Sequence, residues 1–428
     1  MKFNIYTLGC KVNTYESNVM SDLLKNKGYI EVSTDEKADI SIINTCTVTN
    51  TADNKSLKTV RHAIKENKDA IIVVVGCMSQ NKKEEVLKID GVDIVLGNIG
   101  KSKIVEYIDE YIKTKNQKLD IYDMMDTTFE PMILNNFNKT RAFVKIQDGC
   151  NNYCSYCIIP YVRGNVRSKD SLSVINEVKE LVNSGHKEIV LTGIHTGHYG
   201  SDLENYNFSN LLTDLCKIKK LERLRISSIE ITELTDDFLN VLENNKILVD
   251  HMHIPLQSGS DTVLKRMNRK YDKQYFIEKI EKIRKIRPNM SVTTDVITGF
   301  PGETEEEFKE TIETIKRIEF TKLHVFPYSR RKGTVADEME NQIEEKIKKE
   351  RVKILMNLSK ELEIKYMEKF IDKEVIFIPE ISKEEYLIGH TGNYLNVRIK
   401  STQNLIGENV KIKLKYIEYP YIIGCKDM

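Results

Sequence analysis

The stretch that most constrains this chain is RAFVKIQDGCNNYCSYCIIPYVRGNVRS, residues 141–168. An apolar strand over 142–146 runs into Gly149 and then Cys150, Cys154 and Cys157, so three thiols share one loop with three and then two residues between them. Three thiolates hold three irons of a 4Fe–4S cube and leave the fourth iron open for a ligand. A structural zinc site closes with four ligands, and no further Cys or His lies within a few residues to complete one. The ferredoxin run has a different spacing and a fourth Cys followed by Pro. A disulfide framework meets an odd number of thiols. The spacing favours an iron–sulfur cluster, with zinc or inert thiols as the alternatives.

The same residue type recurs at three strand ends earlier in the chain. A strand over 2–8 ends at Gly9-Cys10, one over 38–43 leads to Asn44-Thr45-Cys46, and a branched apolar run over 70–75 ends at Gly76-Cys77. Helical patterns over 14–27, closed by Gly28, and over 53–67 separate them. Alternation of strand and helix predicts a parallel α/β sheet, whose carboxyl strand ends share one edge where ligands bind. Cys10, Cys46 and Cys77 are therefore expected to converge as a second metal site. One such Cys alone would read as a small buried hydrophobe. A closing helix is expected over 101–115, and 116–139 reads as a linker or crossover without a period.

A chain of 428 residues has room for roughly three domains. With 65 basic and 64 acidic residues its net charge is +1, so any attraction for nucleic acid has to come from local patches. The longest apolar run, 70–75, is far short of the roughly 20 residues that span a bilayer. The beginning, MKFNIYTLGCKVN, lacks the apolar core of a signal peptide, so a cytoplasmic protein is expected. Cys216, on a helical pattern, and Cys425 stand outside the two trios.

Beyond the cysteine loop the alternation resumes, with strands expected at 187–191, 223–228, 251–256, 292–297 and 322–326. Counting 142–146, six β/α units predict an open (β/α)6 barrel with its chemistry at the carboxyl strand ends. Those ends carry LTGIHTGHYG, RISSIE, HIPLQSGS and TTDVITGFPGETEEEF. His251, His253 and His324 read as core histidines, and Arg163 and Arg167 as partners of a ligand carboxylate or phosphate, or as solvated cations. An amphipathic helix is expected over 338–370, then short alternating strands at 375–378, 395–399 and 409–415 that fit a small β-barrel. Lys411, Lys413 and Lys415 fall on one strand face and, with Arg398 and Lys400, form a candidate phosphate-binding surface. A charged edge that blocks aggregation shows the same pattern.

CNNYCSYC and its flanks resemble the three-cysteine signature of radical S-adenosylmethionine (SAM) enzymes of the tRNA methylthiotransferase family, and the likeness covers essentially the whole chain. The resemblance implies three domains: an N-terminal methylthiotransferase domain over 1–115, a radical SAM domain over 140–365 after the 116–139 linker, and a TRAM or OB-like RNA-binding barrel over 366–428. It implies that Cys150, Cys154 and Cys157 hold the catalytic 4Fe–4S cluster, whose open iron is chelated by SAM. It makes Cys10, Cys46 and Cys77 the ligands of an auxiliary 4Fe–4S cluster that takes part in sulfur delivery. Tyr156 is expected near the adenine and Thr192 and Gly193 near the amino group of SAM, with Ser228, Glu230, Gln257, Asp295 and Gly299 as further candidate SAM contacts. The implied reaction makes a deoxyadenosyl radical from SAM, abstracts hydrogen from an unactivated carbon and inserts a methylthio group there. The implied partners are tRNA and a flavodoxin- or ferredoxin-type electron donor, with the enzyme a monomer.

TLGCKVNTYES, LTGIHTGHYG and HVFPYSRRKGT look most like the branch acting on threonylcarbamoylated adenosine beside the anticodon, from which Thr14 and His198 depart. The alternatives are branches acting on isopentenyladenosine or on a ribosomal-protein aspartate. An iron–sulfur RNA-binding or electron-transfer protein is the alternative from another class.

Overall fold

The computed structural model describes residues 1–134, 137 and 139–426. The first sheet has six parallel strands: β1 (Lys2–Thr7), β2 (Ile30–Glu31), β3 (Ile40–Thr45), β4 (Ile71–Gly76), β5 (Ile94–Leu96) and β6 (Lys118–Asp120), in the order β2-β1-β3-β4-β5-β6. Every residue of β3 and β4 is buried, as a sheet covered by helices on both faces demands. Three of these strands match the expectation. The other three, β2, β5 and β6, hold two or three residues each, too few for a period to register.

The 116–139 segment, expected to be a linker or crossover without a period, carries short structure of the same kind. Its Lys118–Asp120 portion forms the edge strand of this sheet, and Met124, Met132, Leu134 and Phe137 bury their side chains. Asn135, Asn136 and Asn138 of that segment lie outside the described residues. The segment is a packed crossover, held where the Tyr15 hydroxyl donates to the Met132 carbonyl at 2.7 Å.

The central unit carries the six expected parallel strands: β7 (Arg141–Lys145), β10 (Glu188–Thr192), β11 (Arg223–Ile226), β12 (His251–His253), β13 (Ser291–Thr298) and β14 (Lys322–Pro327). A short antiparallel pair, β8 (Gln147–Asp148) and β9 (Arg167–Ser168), brackets the cysteine loop. The six form two triplets, β11-β10-β7 and β12-β13-β14, that meet through one bridge between Leu224 and Leu248. The barrel is open between β7 and β14. Helix Lys11–Asn26 of the first unit packs against β7, and helix Glu345–Glu368 against β14. There Ser359 Oγ accepts the Leu323 backbone N–H at 2.9 Å, satisfying a donor that an open edge would otherwise expose. That long helix is shorter than the expected 338–370.

Residues beyond it form a closed five-stranded barrel, β15 (Glu374–Lys383), β16 (Tyr386–Thr391), β17 (Asn396–Lys400), β18 (Val410–Glu418) and β19 (Tyr421–Cys425), in the order β15-β16-β17-β19-β18. It docks at the amino ends of the central strands. Arg223 Nη2 donates to the Ile376 carbonyl at 2.9 Å, Arg225 Nη2 to that of Gly392 at 3.1 Å, and Arg141 pairs with Glu380 at 2.9 Å.

Candidate active site

Gly9 lies at φ +93°, and a Cβ there would sit 2.8 Å from Cys46 Cβ, so only glycine lets the Cys10 turn approach the end of β3 this closely. Asn13 locks the same approach: its Nδ2 donates to the carbonyls of Leu8 at 2.7 Å and Thr45 at 2.9 Å. β4 delivers Cys77 at the next position along the edge. The three sulfurs expected to converge do so at the border of one cavity of about 940 Å³, whose lining includes Cys10, Cys46 and Cys77.

The second trio hangs on a loop whose entry is equally restricted, since Gly149 is at φ +74° and a Cβ there would lie 1.8 Å from the Asn165 carbonyl oxygen. Cys150 reaches the cavity through His195, whose Nδ1 is 3.7 Å from its Sγ, and Cys154 through Arg269, whose Nη1 donates to its Sγ at 3.1 Å and whose Nη2 pairs with Glu230. The two trios are linked directly by the residues after Cys157. Ile158 and Val162 pack on Cys77, and Arg163 Nε donates to Cys77 Sγ at 3.3 Å.

Among the described residues, only His195, His198 and Glu233 bring three ligand atoms within 4.8 Å of one another; neither cysteine trio does. Sulfurs around a single zinc would stand about 3.8 Å apart, the edge of a tetrahedron with 2.3 Å bonds. Neither trio is therefore closed around a single zinc ion. Burial pushes the Cys46 thiol up to about 11 and the Cys157 thiol up to about 12, and raises Cys10 and Cys154, where arginine opposes the rise. A metal centre has to displace those protons. Each trio accordingly carries one arginine N–H on a sulfur, the charge-assisted bond that stabilises a thiolate.

Behind Cys77 lies a buried ionic network that the sequence did not announce. Glu16, fully buried, pairs with Lys101, with Lys145 at 2.8 Å and with Arg163 at 2.9 Å; Asp148 pairs with Lys145 at 2.7 Å and Arg163 at 3.1 Å. Arg167 Nη2 stands 3.6 Å from Asp148, an ion pair beyond hydrogen-bond reach, and its Nε has no hydrogen-bond partner. Neither Arg163 nor Arg167 is solvated, and Arg163 touches thiol and carboxylates of its own chain. Burial raises the Glu16 carboxyl, but Arg163, Lys101 and Lys145 outweigh it and hold it well below the usual range. Three cations in direct contact, Lys101, Lys145 and Arg163, face the two carboxylates of Glu16 and Asp148 here. An excess of buried positive charge beside Cys77 is what an anionic thiolate-bound cluster requires, so the residues fit such a group.

Of the candidate SAM contacts, Thr192, Gly193, Ser228, Glu230 and Asp295 line the cavity. Tyr156, Gln257 and Gly299 lie outside that lining. Tyr156 packs edge-on against Phe300 at 6.3 Å, Gln257 bridges to Val296 with φ +65°, and Gly299 makes room for Lys348, whose Cγ a Cβ would meet at 2.3 Å. His251, His253 and His324, expected to be core residues, line the cavity instead, as do Lys11, His195, His390 and Tyr394. On the C-terminal barrel, Lys411, Lys413 and Lys415 do share the outer face of β18, but four of the five expected RNA contacts have acidic neighbours. Arg398 meets Glu418 at 2.6 Å, Lys400 Glu385 at 2.9 Å, Lys411 Glu374 at 2.7 Å and Lys413 Asp372 at 3.8 Å.

Residues 144–315 match the sequence profile of the radical SAM superfamily, and residues 2–97 that of "Uncharacterized protein family UPF0004". The chain is 46% identical over 427 residues to the threonylcarbamoyladenosine tRNA methylthiotransferase MtaB of Bacillus subtilis, covering 98% of this chain and 95% of that one. It belongs to the radical SAM methylthiotransferase family. The MtaB of Aquifex aeolicus is 37% identical, with 96% of this chain and 100% of the relative covered. A tRNA-2-methylthio-N(6)-dimethylallyladenosine synthase of Clostridium botulinum is also 37% identical, with 96% and 94% covered. Among solved structures, the radical SAM methyltransferase TsrM from Kitasatospora setae matches with a TM-score of 0.56 at 13% identity, covering 76% of this chain and 72% of that one, a likeness of fold.

Family membership brings SAM and 4Fe–4S chemistry to this chain. Such a cluster, when bound, supplies an electron to a ligand on its open iron. The chain's own part is to keep the thiolates in place, neutralise their charge through Arg163 and Arg269, and enclose the reacting groups between two domains away from water. No helix among the described residues is long and apolar enough to cross a membrane.

Proposed function

We propose that this protein is a methylthiotransferase acting on N6-threonylcarbamoyladenosine in tRNA, placing the methylthio group at C2 of the base 3′ of the anticodon. The observation that carries the reading is the end-to-end likeness to a relative of that name, at 46% identity, in a chain whose first cysteine trio lines a cavity that His195, in contact with Cys150, also lines. Cys150, Cys154 and Cys157 would hold the cluster that binds SAM, and Cys10, Cys46 and Cys77 an auxiliary cluster. Thr192, Gly193, Ser228, Glu230 and Asp295 are the SAM-contact candidates that the cavity supports. The C-terminal barrel is the RNA handle. A flavodoxin- or ferredoxin-type protein is the electron source, the enzyme acts as a monomer, and a tRNA substrate places it in the cytoplasm.

Nucleoside analysis of tRNA from cells lacking the gene tests the reading. Loss of the methylthio derivative of threonylcarbamoyladenosine, with the dimethylallyl derivative intact, supports it. A normal level of the former refutes it.

A further inference from the structure

The inner end of the cavity, toward the C-terminal barrel, collects positive charge from three domains. Arg225 lines it, 3% exposed, with Nε on Glu188 at 2.6 Å, Nη2 on the Gly392 carbonyl, and Nη1 without a partner. His251 beside it is 7% exposed, has Nε2 3.2 Å from the Thr293 hydroxyl, which can donate to it and leave the ring proton on Nδ1, and holds that Nδ1 buried without a partner. Tyr394 stacks on His251 at 4.6 Å and on His390 at 4.5 Å, while Arg141 and Arg225 lie over its ring. Two unpartnered nitrogens buried in a cavity wall leave hydrogen-bonding capacity that a folded protein rarely wastes.

Most charges here are answered within the chain. Arg141 has Glu380, Arg225 and Arg223 share Glu188, Lys322 has Glu363 at 3.1 Å, and His253 has Asp295 at 3.3 Å. Lys11 is different. It is the residue after Cys10, it lines the same cavity, and among the described residues no ion pair or hydrogen bond engages its ammonium. Burial lowers the His251 and His324 pKa values; Arg225, His253 and then Lys11 add to it at His251, and His253, Lys322 and then Lys11 at His324, so the Lys11 charge is felt at both. An ammonium, a guanidinium N–H and an imidazole nitrogen without partners in one cavity wall are donors of the kind that charge-assisted bonds to a carboxylate use.

Taking the proposed substrate as given, we infer that Lys11, Arg225 and His251 together receive the carboxylate of the threonylcarbamoyl substituent and so select it over uncharged substituents. The dimethylallyl group named for the Clostridium relatives has no charge and no hydrogen-bonding atom. Seating it here would leave every one of these nitrogens unanswered, which is how a polar site rejects an apolar competitor. SAM would not compete for the role if, as the resemblance implies, its carboxylate chelates a cluster held by Cys150, Cys154 and Cys157.

The test compares two anticodon stem-loop RNAs, one with N6-threonylcarbamoyladenosine and one with its carboxylate masked as the methyl ester, using the reconstituted holoenzyme. A charge-assisted contact of this kind predicts that kcat/KM falls about 10- to 100-fold on the ester. Lys11→Met should shrink that difference toward unity, and Lys11→Arg should keep it. Equal rates of the native enzyme on both RNAs, or a Lys11→Met variant that keeps the full ester penalty, overturns the inference while the substrate reading stands. Turnover of a dimethylallyladenosine stem-loop with neither threonylcarbamoyl RNA converted overturns both.

Discussion

Glu16 is the residue on which the junction between the first domain and the barrel depends most, and its replacement by glutamine measures that dependence. The carboxylate is fully buried and answers three cations. Lys145 and Arg163 retain Asp148 when it is neutralised, whereas Lys101 retains only the Asn98 Oδ1 contact at 3.3 Å. The cost therefore concentrates on one buried ammonium, and breaking a buried pair by removing one partner costs about 3–5 kcal/mol. For a unit of this size each kcal/mol moves the melting point by about 2–4 °C, so calorimetry of the Glu16→Gln holoenzyme should show its first transition about 10 °C lower. Adding Lys101→Met removes the stranded charge and should recover most of the loss, since replacing both partners is far milder than removing one. A Glu16→Gln protein melting within about 2 °C of the parent, or no recovery in the double variant, refutes the reasoning.

Three further outcomes follow from the geometry. Arg269→Met removes the N–H on Cys154 Sγ and strands Glu230, so formation of 5′-deoxyadenosine from SAM should fall about 10–100-fold, the usual cost of losing a group that supports a metal ligand. Glu16 and Glu188 both titrate below the usual 4.5 because, against burial, arginine and lysine partners hold them ionised; their stabilisation is complete above about 4.5 and is lost as pH falls below it toward their folded values. Melting points measured between pH 7 and pH 3 should be flat at first and then drop below about 4.5; a decline beginning near pH 6 would contradict this assignment. Lys415 alone among the five expected RNA contacts has no acidic neighbour among the described residues, so Lys415→Ala should lower the slope of log affinity for tRNA against log salt by about one, and an unchanged slope removes it from the interface.

Much of this architecture is legible in the sequence because its strands are long and their ends are marked. The Gly-Cys pairs at 9–10, 76–77 and 149–150 report both a turn that needs glycine and a thiol at a carboxyl strand end. The strands β2, β5 and β6 escape because a period of two cannot register over two or three residues. The Glu16 network escapes because its members are 85 to 147 residues apart and look like ordinary surface charges until the fold buries them. The cavity lining on β12, β13 and β14 did leave a signal: His251 and His253, Ser291, Thr293 and Asp295, and Lys322, His324 and Phe326 recur at every second position, one face of each strand turned inward. Reading His251, His253 and His324 singly as core residues missed that shared phase. Tyr156 and Gly299 fall outside the cavity lining for a different reason: a local motif gives residue type, but which wall a side chain meets depends on Phe300 and Lys348, brought in from elsewhere in the chain.

The central proposal is that each of the two sets of three thiols would hold its own cluster. Anaerobic reconstitution followed by iron analysis tests this most directly: the native chain should hold about eight irons, and replacement of Cys10, Cys46 and Cys77 by alanine, or of Cys150, Cys154 and Cys157, should each leave about four. A native protein that never exceeds about four irons, with the first-domain replacements leaving that number unchanged, would contradict it.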